Sequence, residues 1–204
     1  MAAERPRLGI QPLGLYVHLP WCVRKCPYCD FNSHELRTVM PGPDYVESLL
    51  KDLEQDMRLV RGRKVSHVYF GGGTPSLFKG DLIERLLAGI GRLADLEPEA
   101  EISLEANPGT IERDSFAAYA QAGVNRVSLG VQSFDSSALE RIGRIHGPTE
   151  ISLSLESLVS SGIDNFNIDL MYGLPGQTIG QALLDVEAAI DAGAPHISHY
   201  QLTL

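Results

Sequence analysis

The sequence contains few cysteines, few basic residues and no long apolar run. Cysteine occurs three times in 204 residues, and all three lie between positions 22 and 29. Lysine and arginine number 17 against 26 aspartates and glutamates, which gives a formal net charge of −9. No stretch approaches the roughly 20 apolar residues that a membrane-spanning helix requires. These absences argue against a disulfide-rich secreted scaffold, a nucleic-acid-binding surface and a transmembrane helix.

The first 13 residues lack the apolar core of a signal peptide. This segment is short and contains proline and arginine, and we interpret it as a loose lead-in. We therefore expect the protein in the reducing cytoplasm, where free thiols persist. The chain is 44% hydrophobic, which is enough for residues 14–204 to form one domain with its own core.

The three cysteines, Cys22, Cys26 and Cys29, have the spacing C-x3-C-x2-C. A chain that groups its only cysteines in one loop is expected to hold a metal centre with them. Three thiolates are one fewer than the ligands of a structural zinc ion or an ordinary four-iron cluster, so one metal position would stay open. The spacing alone leaves two alternatives. One is zinc with a fourth ligand from His18 or His34, and the other is a disulfide, which an odd number of cysteines disfavours.

Apolar strand-like runs alternate with amphipathic helical segments along the chain. We predict strands over residues 15–20, 65–70, 101–105, 126–131, 165–171 and 196–204. Helix-capping boxes are predicted at three pairs of residues: Asp44 with Glu47, Asp81 with Glu84, and Thr178 with Gln181. Three glycines should end helices just before a strand in left-handed conformation: Gly123, Gly162 and Gly193.

Strands that alternate with helices predict a parallel sheet with right-handed crossovers. Six strands are fewer than the eight of a closed barrel, so the fold class we predict is α/β, a partial (β/α)6 barrel. The chain ends at Leu204 within the sixth strand-like run. We therefore expect residues 14–204 to form a core barrel whose C-terminal domain is absent or truncated.

Polar or glycine-rich segments follow five of the predicted strands, at the end where β/α barrels place their active groups. Glycines 71–73 lack β-carbons, so ligand atoms could approach the backbone closely. Glu105 and Asp169 lie within apolar strands, where an unpaired carboxylate is costly. We interpret both as ligand-binding groups, and the alternative is a structural salt bridge with Arg126 or Arg144.

Seven segments of the chain resemble the radical S-adenosylmethionine (SAM) superfamily, in particular its coproporphyrinogen dehydrogenase-like branch. They are YVHLPWC (16–22), CPYC (26–29), GGGTP (71–75), EANPG (105–109), GVQSF (130–134), GRIH (143–146) and DLMYGLPGQT (169–178). The resemblance covers almost all of residues 14–204. It implies a partial six-stranded barrel that binds a [4Fe–4S] cluster and SAM.

By this resemblance, Cys22, Cys26 and Cys29 bind three irons of the cluster, and the amino and carboxylate groups of SAM chelate the fourth. The expected SAM-binding residues are Tyr16, Tyr28, Gly72, Gly73, Thr74, Glu105, Gln132, Arg144 and Asp169. The chemistry implied is reductive cleavage of the C5′–S bond of SAM, which yields a 5′-deoxyadenosyl radical that abstracts hydrogen.

The resemblance leaves two functions open. One is a heme chaperone, which binds heme and transfers it to acceptor proteins. The other is the oxygen-independent coproporphyrinogen III dehydrogenase, an oxidoreductase that decarboxylates two propionates. We favour the chaperone because the dehydrogenase has a longer leading segment and a fourth cysteine where this sequence has Phe31. The segments CDFNS (29–33), EANPG (105–109) and SHYQLTL (198–204) also resemble the chaperone branch.

The partners implied are heme or a porphyrin as cargo, heme-acceptor proteins and an electron donor for the cluster. Peripheral contact with membrane-bound acceptors is also implied, and nucleic acid is not. An axial heme ligand would be His, Cys or Met. His146 and His199, near strand ends, are the candidates, with a polar or packing role as the alternative for each. Trp21 is expected either to shield the cluster or to pack in the core.

Overall fold

The computed structural model describes residues 12–60, 62–109 and 115–203. The predicted lead-in lies outside these residues except for its last two positions. Six parallel strands form the main sheet: β1 Leu13–Leu19, β4 Val65–Gly72, β5 Leu96–Ala106, β6 Arg126–Gln132, β7 Phe166–Tyr172 and β8 His196–Gln201. Two short strands, β2 Trp21–Cys22 and β3 His34–Glu35, pair within the cysteine loop.

The strand order of the sheet is β1–β4–β5–β6–β7–β8, which is the order of the chain. All neighbouring pairs are parallel. Within the part of the chain that the structure describes, β1 and β8 stand at opposite edges and the sheet stays open. The predicted partial six-stranded barrel is therefore confirmed. The largest difference in a boundary is the start of β5, which lies five residues before the predicted start. The prediction missed this part of the strand because it contains Glu97, Pro98 and Glu99, residue types that are depleted in strands.

The helices are α1 Gly42–Asp56, α2 Gly80–Leu93, α3 Ser115–Ala122, α4 Ser136–Arg141, α5 Pro148–Ser160 and α6 Ile179–Asp191, with a 3-10 turn at Pro75–Leu77. Within the described residues, each helix is too short or too polar to cross a lipid bilayer. Their buried apolar side chains pack on one face of the sheet and form the core. The opposite face of the sheet is thus free to carry polar groups.

The capping prediction is confirmed for α6 and wrong for α1 and α2. The Thr178 hydroxyl accepts a hydrogen bond from the Gln181 N–H, and the Gln181 side chain accepts one from the Thr178 N–H. Helix α1 instead begins at Gly42, before Asp44, because Pro43 is favoured in a first turn that needs no N–H donor. Helix α2 begins just before Asp81 and likewise has no side-chain cap.

The three glycines predicted to end helices have the expected left-handed backbone. The φ angles are 106° at Gly123, 82° at Gly162 and 74° at Gly193. A residue with a β-carbon would be strained at such angles. These turns return the chain to the starts of β6, β7 and β8.

Candidate functional site

The polar face of the sheet and the cysteine loop enclose a cavity of about 480 Å³. All three cysteines line it. Seven of the nine residues predicted to bind SAM line it too: Tyr28, Gly73, Thr74, Glu105, Gln132, Arg144 and Asp169. The structure therefore brings together, from six separate segments, most of the residues that the sequence singled out.

Tyr16 and Gly72 are the two predicted residues that lie beside the cavity and not in its lining. The Tyr16 hydroxyl bonds to Nδ1 of His18 at 2.9 Å, and its ring stacks on that of Tyr69. The Gly72 N–H donates to Glu105 at 3.2 Å. Contact of these two residues with SAM stays a prediction.

The cysteine loop is closed by hydrogen bonds to its own carbonyl groups. The Cys29 N–H donates to the carbonyl of Cys26 at 3.0 Å. The Lys25 ammonium donates to the carbonyls of Phe31 at 2.9 Å and Ser33 at 3.2 Å. All three thiols are free, which contradicts the disulfide alternative. The loop thus presents three unpaired sulfur ligands to one cavity, and this donor set fits an iron–sulfur cluster.

His18 is not available to complete a zinc site. Its Nδ1 bonds to Tyr16, and its Nε2 bonds to the carbonyl of Asn32 at 2.8 Å, so both ring nitrogens are occupied. His34 is exposed in the short strand β3. Among the described residues, no three His, Cys, Asp or Glu side chains are grouped around the position of a single metal ion.

The glycine-rich end of β4 is bonded to the start of the cysteine loop. The Gly73 N–H donates to the carbonyl of Leu19 at 2.9 Å, and the Thr74 N–H donates to that of Trp21 at 2.8 Å. A β-carbon at Gly73 would lie 2.6 Å from the Trp21 carbonyl oxygen. Glycine is therefore required here because two backbones approach closely. The N–H groups of Gly73 and Thr74 are therefore already hydrogen-bonded within the protein.

Glu105 is half-buried beside the glycine segment and accepts hydrogen bonds from two donors. The Tyr69 hydroxyl donates to its Oε1 at 2.8 Å, and the Gly72 N–H donates to its Oε2. Burial raises the pKa of the Glu105 carboxyl, and the hydrogen bond from Tyr69 partly opposes this effect. A bound cation in the cavity would stabilise the ionised form.

Asp169 lies on the neighbouring part of the polar face and has its own donors. Its oxygens accept hydrogen bonds from Ser128 at 2.9 Å and from the Asn167 amide at 2.7 Å. Burial raises the pKa of the Asp169 carboxyl, and the hydrogen bonds from Ser128 and Asn167 act in the opposite direction.

Neither carboxylate forms the salt bridge that was the alternative interpretation. Among the described residues, Arg126 pairs with Glu101 at 3.8 Å, outside the predicted set. In the part of the chain that the structure describes, the hydrogen-bond donors of Glu105 and Asp169 are neutral, and the Arg144 guanidinium acts on Asp169 through its charge alone. They therefore face the cavity as acids that a cationic ligand could pair with.

Arg144 connects the cysteine loop to the polar face. One terminal nitrogen donates to Asn107 Oδ1 at 2.6 Å and to the Gly130 carbonyl at 2.8 Å. The other donates to the sulfur of Cys26 at 3.5 Å. The Asn107 amide donates in turn to the hydroxyl of Thr74 at 3.1 Å. This network places a fixed positive charge at the cysteine side of the cavity.

The two candidate heme ligands occupy different environments. His146 is only 4% exposed, and its Nε2 bonds to the Val131 carbonyl at 3.1 Å. It lines a space of about 20 Å³, which suits one water molecule and not a macrocycle, so the packing alternative is favoured. His199 is exposed on β8 against the ring of Tyr172.

Trp21 packs edge-on against Tyr45, with 4.6 Å between the ring centroids, as its packing alternative predicts.

Burial of His146 predicts a loss of stability in acid. Burial, and secondarily the charge of Arg144, lowers the pKa of His146 from 6.5 to about 4. The unfolded chain thus binds a proton between pH 6.5 and 4 that the folded chain does not. This group should lower the free energy of unfolding by about 1.4 kcal/mol per pH unit as the pH falls through that range.

His146→Gln removes the titrating ring but keeps an N–H donor for the Val131 carbonyl. Urea unfolding of the iron-free chain between pH 7 and pH 4 should show a smaller decrease in stability for the variant than for the wild type. Equal pH dependence in the two proteins would show that His146 is not buried in its neutral form.

The sequence analysis did not predict a row of polar residues on the inner face of the sheet. It consists of Tyr69, Ser103, Ser128, Asn167, Ser198 and Tyr200, all of which line the cavity. The signal was present, because on β5, β6 and β7 these residues alternate with buried apolar ones. Asn107 was also missed, although it lies in a quoted motif. Tyr200 donates a hydrogen bond to the side chain of Gln132.

These features define a class of protein. Residues 16–188 match the family model of the radical SAM superfamily, and the chain belongs to that superfamily. Within it, the chain is 51% identical over 195 residues to the heme chaperone HemW of Escherichia coli (strain K12), covering 96% of this chain and 52% of the relative. It is 48% identical over 199 residues to the heme chaperone HemW of Haemophilus influenzae, with the same coverage.

Among solved structures, coproporphyrinogen III oxidase (HemN) from Escherichia coli, described as a radical SAM enzyme, has a TM-score of 0.86 and 31% identity. The alignment covers 94% of this chain and 44% of that structure. This chain spans about half the length of the curated relatives it matches.

Proposed function

We propose that this chain is the radical SAM domain of a heme chaperone, which binds heme and transfers it to acceptor proteins. The observation that carries the proposal is the cysteine loop, which has three free thiols at the cavity and Phe31 where the related dehydrogenase has a fourth cysteine. The relatives named heme chaperone HemW, at 51% and 48% identity, support the same function.

The cavity fits both cofactors of the superfamily by its chemistry. Cys22, Cys26 and Cys29 would hold the [4Fe–4S] cluster. When bound, the cluster and SAM supply one-electron reductive chemistry. SAM carries a sulfonium, an amino group, a carboxylate and a ribose. Glu105 and Asp169 would complement the sulfonium charge or accept hydrogen bonds from the amino group or the ribose, and Arg144 would complement the carboxylate.

The protein's own part is to orient these groups and to exclude water. Asn107 fixes the guanidinium of Arg144, and Tyr69 fixes the carboxylate of Glu105. Because both partners are already hydrogen-bonded, the charges are positioned before a ligand arrives, which reduces the ordering cost of binding.

Apolar side chains near the cysteines support a planar hydrophobic cargo. Phe31 is 62% exposed and lines the cavity, and Val23 and Ile145 are about half exposed beside Cys26. The partners we propose are heme, heme-acceptor proteins that include membrane-bound ones contacted peripherally, and an electron donor for the cluster. His199 is the exposed candidate for the axial ligand.

A second candidate is oxygen-independent coproporphyrinogen III dehydrogenase, which the similarity to the HemN structure favours. One experiment separates the two. The anaerobically reconstituted protein is supplied with reductant, SAM and coproporphyrinogen III, and porphyrins are followed by mass spectrometry. We expect the substrate to stay intact, and decarboxylated product would identify the dehydrogenase.

Heme titration tests the cargo directly. We expect a saturable change in the heme absorption spectrum, and His199→Ala should change the spectrum of the complex if His199 is the axial ligand. His67→Ala, which removes another histidine of the sheet at the opposite end of the strands, serves as the control. No saturable binding to the reconstituted protein would contradict the chaperone proposal.

A further inference from the structure

Gln132 has a backbone conformation that its residue type disfavours. Its φ angle is +71°, and it is the only non-glycine residue with positive φ among the described residues. Such angles are rare for residues with a β-carbon, so surrounding contacts must maintain them. Gln132 is 6% exposed, ends β6 and directs its side chain into the cavity, where it accepts a hydrogen bond from Tyr200.

A buried carboxylate on α6 binds the two residues that follow Gln132. Asp185 is 4% exposed, and its Oδ1 accepts the N–H of Phe134 at 2.7 Å. The Ser133 hydroxyl lies 3.0 and 2.9 Å from the two carboxylate oxygens of Asp185. Ser133 is completely buried, and neither Ser133 nor Asp185 lines the cavity. Asp185 thus fixes the chain immediately after the strained residue without touching a ligand.

The same carboxylate also reaches the segment that follows β7. The Gln177 side-chain amide donates through Nε2 to Asp185 Oδ2 at 3.3 Å, and its Oε1 accepts the N–H of Leu174 at 3.2 Å. Strand β7 carries Asp169. One side chain of α6 therefore connects the ends of the two neighbouring strands that supply Gln132 and Asp169 to the cavity.

We propose that Asp185 is a positioning residue that holds Gln132 in its left-handed conformation and so keeps the Gln132 amide directed at the bound ligand. The identification of this ligand as SAM rests on the proposed function. The positioning itself rests only on the backbone angle and the buried hydrogen bonds.

Two variants and a control test this role. Asp185→Asn replaces one acceptor oxygen by a donor, which then faces the donors of Phe134, Ser133 or Gln177. Ser133→Ala is milder, because it keeps the bond between Asp185 and Phe134. Asn125→Ala is the structural control. It removes two hydrogen bonds, to the Ile102 N–H and the Ala100 carbonyl, at the opposite end of β6.

Three measurements are made on each protein with its cluster reconstituted: the crystal structure, the SAM dissociation constant and the melting temperature. In Asp185→Asn we expect Gln132 to adopt negative φ and to lose its bond to Tyr200. We expect the SAM dissociation constant to rise roughly 10- to 100-fold, the range typical for loss of a supporting group. Ser133→Ala should show a smaller rise, and Asn125→Ala should bind SAM like the wild type despite a lower melting temperature.

The proposal is overturned if Gln132 keeps positive φ in the Asp185→Asn crystal structure, or if SAM affinity changes no more than in Asn125→Ala. If Asp185→Asn fails to fold, the crystal structure and SAM affinity of Ser133→Ala decide the question in the same way. Failure of the wild-type protein to bind SAM would instead refute the proposed function. The backbone comparison would still decide whether Asp185 positions Gln132.

Discussion

Cys29→Ser is expected to abolish binding of the iron–sulfur cluster. The chain has three cysteines, so no fourth thiol can replace the lost ligand. Serine is a poor substitute because its hydroxyl is not ionised at neutral pH, whereas cluster ligation requires thiolate. After anaerobic reconstitution, we expect about four irons per wild-type chain and little more than background iron in the variant.

The control for this experiment is Asp30→Ser, which introduces the same side chain at the next position of the loop. Asp30 is exposed and does not line the cavity, so this variant should bind iron like the wild type. Wild-type iron content in Cys29→Ser would refute the assignment of Cys29. Stoichiometric zinc without iron uptake by the wild-type protein would refute the cluster itself.

Asp169→Asn should raise the SAM dissociation constant by roughly 10- to 100-fold, as expected for loss of a hydrogen bond to a charged group. The amide has no negative charge for a cationic ligand. Its NH₂ group would also face one of the two donors that now bind the carboxylate, Ser128 and Asn167. Calorimetric titration of the reconstituted protein with SAM measures the effect.

Asp164→Asn is the matched control, because Asp164 is exposed just before β7. It should leave SAM affinity unchanged. Since burial raises the pKa of Asp169, wild-type affinity should also decline as the pH falls toward that raised pKa, and this decline should be smaller in Asp169→Asn. Unchanged affinity in Asp169→Asn would show that this carboxylate does not contact SAM.

The sequence was sufficient to predict the sheet and ten residues of the cavity lining, namely the three cysteines and seven of the expected SAM-binding residues. Most of the strands were found because buried parallel strands carry many apolar residues, although β8 is largely exposed. The ends of parallel strands meet at one edge, so their polar residues could be assigned to one site. The inner polar row could also have been predicted, because Ser103 and Glu105 alternate with buried residues in the same way as Asn167 and Asp169.

Other features depend on contacts between distant parts of the chain. The alternative interpretation from the sequence was a salt bridge between Glu105 and an arginine. The side-chain partner of Glu105 is instead Tyr69, which the β4–β5 register brings close. The left-handed backbone of Gln132 depends on Asp185, more than 50 residues away. Local propensity predicts a negative φ at glutamine, and only the tertiary hydrogen bonds override it.

The bonds from Gly73 and Thr74 to the carbonyls of Leu19 and Trp21 also bear on the order of assembly. The cysteines lie early in the chain, but the backbone that supports their loop comes from residues about 50 positions later. Short zinc-binding domains fold when they take up their metal. Here the first two strands of the sheet must pair before the loop has its final shape. We therefore expect the metal to be loaded into a chain that has already folded.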